Sequence, residues 1–339
     1  MYKHLTFEIS DVCNAYCPWC VTGLANMRKD KTRSSARITY DEFVRAIEHL
    51  EAEELLAKDA TVALHVWGEP FLNTDWKKIV TYLSKKGHPT HMASNASVVL
   101  SVDEDDHETD LSGLAQLGFS MPGFSQKSYT KIHGFQFEKI KQNITESVRN
   151  MRAHPTFKAP IKINFHVYQF NEAEIRPAHY FARSLGVDFA PYYASINNLE
   201  QYMAYLDGTI PVDELREASK TLNLHHVDEY LAEEPKDFEC PQFQFLTLNA
   251  KTEVLTCCGV SAKNPNYSIG NLYDLTADEV REKKRQQEYC TACHQTGLAY
   301  LVHKMNTPDE NLYKVTRDSV TEELVFRGKK AVKRLLGRR

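Results

Sequence analysis

Short β-like runs alternate with longer amphipathic stretches over the first two thirds of the chain, and this alternation constrains the fold most. The helical pattern is clearest in 137–153, where apolar residues recur three and four positions apart, as a helix buried on one face requires. The predicted strands are 5–10, 61–66, 90–94, 118–120, 161–168 and 187–193, and the predicted helices are 40–56, 75–86, 110–117, 137–153 and 172–186, with Gly186 as a helix stop. Six such alternations predict an α/β fold with a parallel sheet and functional residues at the carboxyl ends of its strands.

The composition is that of a globular protein, with 42% hydrophobic and 25% charged residues. The net charge of −4 argues against a nucleic-acid partner for the protein as a whole. The first residues carry no signal-peptide pattern, and no stretch approaches the roughly 18 apolar residues of a membrane span. We therefore expect a cytoplasmic protein, whose clustered cysteines stay reduced and hold metal or do redox work.

The pattern changes near residue 195, and four parts are predicted. Residues 1–195 form the α/β core, and 196–235 form a linker of two or three short polar helices. Residues 236–300 contain a predicted β-hairpin with its turn near 249–252. Residues 301–339 are predicted to be a helical basic tail. Such a tail suits either an amphipathic helix that touches an anionic membrane surface or a partner, or a solvated helix with a frayed end.

Three cysteines, Cys13, Cys17 and Cys20, follow the first predicted strand in a loop. Thiolates are the ligands that iron–sulfur clusters take, and three of them leave one iron of a four-iron cluster open to another molecule. Structural zinc needs a fourth ligand, and none lies nearby, since the next cysteine is Cys240. An open iron–sulfur cluster is the favoured interpretation, and zinc or thiols without metal are the alternatives.

The spacing C-x₃-C-x-aromatic-C in Cys13-Asn-Ala-Tyr-Cys17-Pro-Trp-Cys20 resembles the signature of the radical S-adenosylmethionine (radical SAM) enzymes. The resemblance implies a partial (β/α)₆ core similar to a TIM barrel. It also implies a [4Fe–4S] cluster whose open iron is chelated by S-adenosylmethionine, with Trp19 near the adenine.

Several later motifs resemble the cofactor-binding segments of the same family. Trp67-Gly68-Glu69-Pro70 is similar to the G-G-E-P segment that holds the cofactor's ammonium group, with Trp67 in place of the first glycine. A carboxylate suits a cation because it accepts hydrogen bonds from the ammonium group. By the same resemblance, the further cofactor contacts are Ser94, Asn95, Ser120 and Asn171, and Asn171 could instead contact the substrate.

A second group of cysteines, Cys240, Cys257, Cys290 and Cys293, supplies four soft ligands, enough for a closed site. The residues alone permit either zinc or a fully ligated four-iron cluster. The arrangement resembles the C-terminal extension called SPASM in its shortened "twitch" form, a small hairpin and helix domain, which implies one auxiliary [4Fe–4S] cluster. Cys258 is left over, because the resemblance favours the first cysteine of the pair.

The resemblance also implies the chemistry. A reduced cluster cleaves S-adenosylmethionine to a 5′-deoxyadenosyl radical, which abstracts a hydrogen atom from the substrate, and a flavodoxin- or ferredoxin-type protein supplies the electron. Aminocyclitol dehydrogenase members carry a similar four-cysteine pattern, so we expect a small polyhydroxylated substrate that is oxidised, dehydrated or epimerised. The alternatives are a radical SAM maturase that modifies a peptide and a zinc-stapled binding protein without catalysis.

The residue that would accept the substrate's proton is not identified by any motif. His65 and His166 lie on the second and fifth predicted strands, and Tyr192 and Tyr193 on the sixth. Each is a weak candidate, because a single histidine on a strand is more often a satisfied core residue. A general base must reach the proton that it removes, which a sequence does not show.

Overall fold

The computed structural model describes residues 1–30, 34–103, 105–196, 198–235, 237–260, 267–305 and 312. In these residues nine strands form one sheet. The strands are β1 (Tyr2–Phe7), β2 (Leu56–Ala63), β3 (Thr90–Ser94), β4 (Leu114–Met121), β5 (Ile161–Val167), β6 (Asp188–Tyr193), β7 (Phe245–Leu248), β8 (Glu253–Leu255) and β9 (Ser268–Asn271).

The order of the strands across the sheet is β6-β5-β4-β3-β2-β1-β7-β8-β9. The first six strands are parallel to their neighbours, and β7 pairs with β1 in parallel as well. β8 and β9 are antiparallel additions at the far edge. The predicted α/β class with a partial parallel barrel is confirmed. The predicted hairpin extends this sheet, and its turn lies at 249–252 as expected.

The helices lie between and after the strands: α1 (Val21–Met27), α2 (Tyr40–Ala52), α3 (Trp76–Lys86), α4 (Gln126–Lys131), α5 (Phe137–Ala153), α6 (Ile175–Leu185), α7 (Leu199–Leu206), α8 (Val212–Thr221), α9 (His225–Ala232), α10 (Ala277–Arg285), α11 (Glu288–Gln295) and α12 (Leu298–Met305). Local sequence explains where several of them begin and end. Thr39 and Glu42 form a capping box at the start of α2. Gly186 ends α6 in the left-handed conformation, with φ of 65°, as predicted.

The prediction of a helix at 110–117 is wrong, because β4 begins at Leu114. Leucines at 111, 114 and 117 have helical spacing, yet parallel pairing with β3 and β5 on both sides decides the conformation. Three other predicted elements differ clearly at their ends. β1 and β2 lie three or more residues earlier than 5–10 and 61–66, and α2 ends at Ala52 rather than at 56. The helices α1 and α4 were not predicted.

The described part of the chain says little about the tail. Of the predicted tail, 301–339, residues 306–311 and 313–339 lie outside the described residues, and 301–305 belong to α12. Within the described ranges, no helix combines the length and the hydropathy that crossing a membrane requires. The proposed boundaries at 195, 235 and 300 remain predictions.

Asn73 ties three segments together beneath the carboxyl ends of the strands. Its amide nitrogen donates hydrogen bonds to the carbonyl oxygens of Ile9 and Ile38, each at 2.8 Å, and the side chain is buried. Ile9 lies just after β1 and Ile38 just before α2, and the Ile38 N–H donates to the Ile9 carbonyl oxygen at 3.2 Å, so the Asn73 amide reinforces a short backbone pairing of the two segments.

We expect Asn73→Ala to lower the free energy of unfolding by about 2 kcal/mol, because the Ile38 and Ile9 carbonyl oxygens each lose a buried hydrogen bond, although the Ile9 oxygen keeps the one from the Ile38 N–H. Urea unfolding followed by circular dichroism measures this change, with Thr74→Ala at the exposed neighbouring position as the control. Equal stability of the two variants would contradict the role assigned to Asn73.

Candidate active site

The segment that leaves β1 is held against the segment that leaves β2. The Glu8 carboxylate accepts hydrogen bonds from the backbone N–H groups of Trp67, at 2.6 Å, and of Gly68. A Cβ atom on Gly68 would lie 1.7 Å from the Ser10 carbonyl oxygen, so the close approach requires glycine. These contacts hold the beginning of the cysteine loop, residues 11–20, beside the second motif.

The cysteine loop folds back on α1. The Asn26 amide donates hydrogen bonds to the carbonyl oxygens of Cys13, at 2.8 Å, and Ala15, at 2.6 Å. Gly23 allows α1 to approach, because a Cβ atom there would lie 2.2 Å from the Cys17 carbonyl oxygen. In this arrangement the three cysteines of the loop line one cavity of about 610 Å³.

The thiols of the loop influence one another electrostatically. Burial raises the pKa of Cys13 to about 11, and the charges of Glu69 and Cys20 contribute to the increase. Burial, followed by the charges of Cys20 and Cys13, raises the pKa of Cys17 well above its usual value. Three thiolates at this place are therefore costly unless a cationic centre binds to them.

The Glu69 carboxylate is buried where the cavity meets the end of β3. It accepts hydrogen bonds from the Ser94 hydroxyl, at 2.9 Å, and from the Asn95 N–H, at 2.7 Å. Burial raises the pKa of Glu69 to about 7, although these hydrogen bonds oppose the increase. Within the described residues, the groups that donate hydrogen bonds to Glu69 are uncharged. A cation bound beside Glu69 would therefore meet a carboxylate whose negative charge no other group neutralises.

Trp19 forms part of the cavity wall close to the loop thiols. Its side chain is 7% exposed, and the indole Nε1 is buried with no hydrogen-bond partner among the described residues. Its ring packs in an apolar cluster that includes Ile132 and Tyr168. Buried indole N–H groups usually find an acceptor, so an unpartnered donor beside the loop thiols is an unusual feature of this wall.

Most of the predicted site residues meet at this cavity. Those that line it are Cys13, Cys17, Trp19, Cys20, His65, Gly68, Glu69, Asn95, Ser120, His166, Tyr192 and Tyr193. Pro70 and Ser94 are buried beside it instead. Pro70 begins the 3₁₀ turn at Pro70–Leu72, and the Ser94 hydroxyl donates a hydrogen bond to the Glu69 carboxylate.

Asn171 does not line the cavity, because its side chain is taken up by the backbone. Its oxygen accepts a hydrogen bond from the Tyr168 N–H at 2.7 Å. Its nitrogen donates to the carbonyl oxygens of Pro122, at 2.8 Å, and His166, at 3.0 Å. The contacts made by Asn171 thus join the exits of β4 and β5.

Two residues on the inner face of β5, Lys162 and Asn164, also line the cavity and were missed by the sequence analysis. Polar side chains alternate with buried apolar ones along the strand I-K-I-N-F-H-V, a pattern that could have revealed this face. On neighbouring strands the cavity is lined by Ala63 and Ala93, whose small side chains leave room for a ligand.

The histidines of the cavity are neutral near pH 7. Burial lowers the pKa of His65 to about 4 and that of His166 to about 4. A third histidine, His133, was also missed; burial lowers its pKa to about 3. Its backbone carbonyl oxygen accepts a hydrogen bond from the Tyr16 N–H of the cysteine loop, at 3.1 Å. Neutral imidazoles can accept protons or hydrogen bonds from a bound molecule.

The second group of cysteines lies where the sheet extension meets α11. Burial first, then the charges of Cys257 and Cys240, raise the pKa of Cys290 to about 12, and the same causes raise the pKa of Cys293. Cys258 is not among the groups that act on either of them. Cys258 instead lines the large cavity.

The residues of the cysteine loop have the donor chemistry of the open cluster that their motif implies. Within the described ranges, no three histidine, cysteine, aspartate or glutamate side chains are placed to hold a metal ion. Cysteine thiolates are nonetheless the ligands of iron–sulfur clusters, and every described cysteine is a free thiol. Three thiols on one cavity, next to a buried carboxylate and an unpartnered indole donor, suit an open cluster with a cationic ligand.

The comparisons with known proteins concern structure alone. No protein-family model matches the sequence, and no curated protein matches it either. The structure is similar to that of Streptococcus suis SuiB bound to precursor peptide SuiA, with a TM-score of 0.54 and 13% identity over 83% of this chain. SuiB is a radical SAM enzyme. This chain has the radical SAM fold.

The chain spans 64% of the length of that SuiB structure. A second similar structure is BtrN in complex with AdoMet and 2-DOIA, with a TM-score of 0.47 and 11% identity, covering 91% of this chain and 92% of BtrN. SuiB bound to S-adenosylmethionine gives a TM-score of 0.49 at 12% identity, over 76% of this chain and 60% of SuiB.

The buried carboxyl group of this radical SAM fold predicts a pH dependence. Because the pKa of Glu69 is raised from 4.5 to about 7, the folded protein retains a proton that the unfolded chain releases over that interval. The free energy of unfolding therefore falls as pH rises from about 5 to about 7, by up to about 3 kcal/mol from this group.

We expect Glu69→Gln to remove this part of the pH dependence, as measured by urea unfolding between about pH 5 and about pH 8. Glu48→Gln, at an exposed position on α2, serves as the control and should follow the wild type. If the wild type and Glu69→Gln have parallel stability curves, the carboxylate is not the buried group that titrates.

Proposed function

We propose that the protein is a radical SAM enzyme that acts on a small polyhydroxylated molecule, such as a sugar, an aminocyclitol or a nucleotide sugar. The observation that carries this proposal is the meeting, in one cavity, of the three loop thiols and the buried Glu69 carboxylate. The radical SAM fold supports it independently.

The loop thiols Cys13, Cys17 and Cys20 would hold a [4Fe–4S] cluster. When bound, this cluster supplies the electron that cleaves S-adenosylmethionine and generates a 5′-deoxyadenosyl radical. Glu69 would accept hydrogen bonds from the ammonium group of S-adenosylmethionine, and the charge of that group would stabilise the buried carboxylate. Trp19 would form the wall at the adenine, and Asn95 and Ser120 would contact the carboxylate or ribose.

The opposite wall of the cavity suits hydroxyl groups. Asn164, Tyr192 and the neutral imidazole of His166 offer both donors and acceptors, and the Tyr192 hydroxyl already lies 3.4 Å from the Asn164 amide oxygen. A volume of about 610 Å³ is within the usual size range of small-molecule sites. His65 and His166 are neutral and could each accept the proton of a substrate hydroxyl, if the bound substrate is within reach.

The second group of cysteines would hold a closed auxiliary cluster. The charges of Cys240 and Cys257 act on Cys290 and Cys293 and also on Cys258, whereas Cys258 acts on neither Cys290 nor Cys293, which supports Cys257 rather than Cys258 as the ligand. A closed cluster can accept the electron that remains on a substrate radical, and this role favours oxidation over dehydration or epimerisation. We propose a flavodoxin- or ferredoxin-type electron donor, and the cytoplasm as a compartment that keeps these thiols reduced.

A peptide substrate is the second candidate. The observation that favours it is the similarity in fold to SuiB, whose structure contains the precursor peptide SuiA. Turnover assays with sugars and aminocyclitols on one side and ribosomally made peptides on the other separate the two candidates.

The metal content tests both cluster assignments. After anaerobic reconstitution we expect about eight irons per chain, falling to about four in the Cys13/Cys17/Cys20 triple alanine variant, because each four-iron cluster has its own cysteines. Cys258→Ala should retain about eight irons and Cys257→Ala should lose about four.

Iron and acid-labile sulfide analysis, with zinc measured in the same samples, gives these numbers. Zinc in place of half of the iron would remove the auxiliary cluster but retain the radical chemistry. Zinc alone, with no iron in the wild type, would contradict the proposed function and support a binding protein without catalysis.

A further inference from the structure

Lys284 is a buried lysine on a helix whose other cations face solvent. Its side chain is 1% exposed, whereas its neighbours Lys283 and Arg285 on α10 are exposed. Lysine is almost never fully buried unless a charged group pairs with it, because taking an ammonium group out of water is costly. The burial of Lys284 therefore calls for a nearby anion.

The hydrogen bonds of Lys284 do not neutralise its charge. Its Nζ donates to the carbonyl oxygen of Gln242, at 3.0 Å, and to that of Phe245. The ring of Tyr2 lies 5.5 Å from the same nitrogen. Among the residues that the structure describes, no carboxylate lies within ion-pair distance of this ammonium group.

The groups near Lys284 that can carry negative charge are cysteines. Gln242, whose carbonyl oxygen accepts the hydrogen bond from Lys284, lies two residues after Cys240, and its side-chain oxygen accepts a hydrogen bond from the Cys258 N–H at 3.5 Å. Burial lowers the pKa of Lys284 to about 8, and the charges of Cys257, Cys290, Cys258 and Cys240 oppose this decrease. The lysine and the thiols thus lie in one buried region behind α10.

We propose that Lys284 is the built-in counter-charge of the auxiliary cluster and raises its reduction potential. This inference rests on the proposed function, since it assumes that the second group of cysteines holds a cluster. A cluster bound by four thiolates is anionic and becomes more so on reduction. A fixed positive charge next to it in a water-poor region stabilises the reduced form more than the oxidised form.

A raised potential makes the auxiliary cluster a better electron acceptor in the oxidation. In the proposed oxidation, one electron would leave the substrate radical for the auxiliary cluster, and the hydroxyl proton would go to a base of the cavity. The bond formed is the second bond between carbon and oxygen of the ketone. An electron carrier of the flavodoxin or ferredoxin class then takes the electron from the auxiliary cluster. Lys284 does not line the cavity proposed for the substrate and S-adenosylmethionine, so it would act by its charge as a positioning residue.

The test measures the potential of the auxiliary cluster in isolation. All proteins carry the Cys13/Cys17/Cys20 triple alanine background, so that only the auxiliary cluster remains. Three changes separate charge from hydrogen bonding: Lys284→Met removes both, Lys284→Gln retains a donor without the charge, and Lys284→Arg retains the charge. Lys283→Met, at the exposed adjacent position, is the matched control.

Redox titration followed by electron paramagnetic resonance gives the midpoint potentials, after iron content and circular dichroism have been measured. We expect Lys284→Met and Lys284→Gln to lower the equilibrium constant for one-electron reduction about tenfold, or about 59 mV. Lys284→Arg and Lys283→Met should stay within about twofold of the parent protein, about 18 mV by the same relation.

Unchanged potentials in Lys284→Met and Lys284→Gln, with iron retained, would overturn the inference and leave the auxiliary cluster intact. A shift in Lys284→Met alone would assign the effect to hydrogen bonding and would also overturn it. If Lys284→Met loses its cluster, the midpoint potentials of Lys284→Gln and Lys284→Arg test the inference instead. A lower potential in Lys284→Gln alone supports the inference, and equal potentials overturn it. Absence of iron in the parent background would overturn the auxiliary cluster itself, and this inference with it.

Discussion

The crossing of the chain segments that leave β1 and β2 is the contact on which the site depends. The Glu8 carboxylate binds two consecutive backbone N–H groups of the β2 exit, and Gly68 rests on the Ser10 carbonyl oxygen with no space for a side chain. The Glu69 N–H then donates to the Val12 carbonyl oxygen at 2.7 Å. Because these bonds join the cysteine loop to the Glu69 segment, thiols and carboxylate are placed together before any ligand binds.

Few charged side chains line the resulting cavity. Of the described residues that line it, Glu69 and Lys162 are the ones with ordinarily charged side chains, and its histidines are neutral. The sheet extension is tied to the same cavity, since the Trp67 indole donates to the Val260 carbonyl oxygen at 3.1 Å and Cys258 is part of the wall. Trp67, which stands where the resembled G-G-E-P motif has its first glycine, thus connects the core to the sheet extension that carries the second group of cysteines.

The sequence predicted the elements whose pattern is set locally, such as the helix at 137–153 and the strand at 90–94, both with the observed bounds. It failed at 110–117, where three leucines at helical spacing belong to a strand that is paired on both sides. Motifs indicated the cysteines and Glu69. Lys162 and Lys284 belong to no motif; Lys162 lines the cavity and Lys284 is buried, and both placements depend on residues far away in the chain.

We propose that the cysteine loop and Glu69 bind S-adenosylmethionine for reductive cleavage. This binding is tested by the formation of 5′-deoxyadenosine and methionine when the reconstituted protein is reduced with dithionite in the presence of S-adenosylmethionine. We expect both products in the wild type and neither in Cys17→Ala, while Cys258→Ala retains activity. Equal product formation by wild type and Cys17→Ala, or none by a wild type that carries its full iron content, would contradict it.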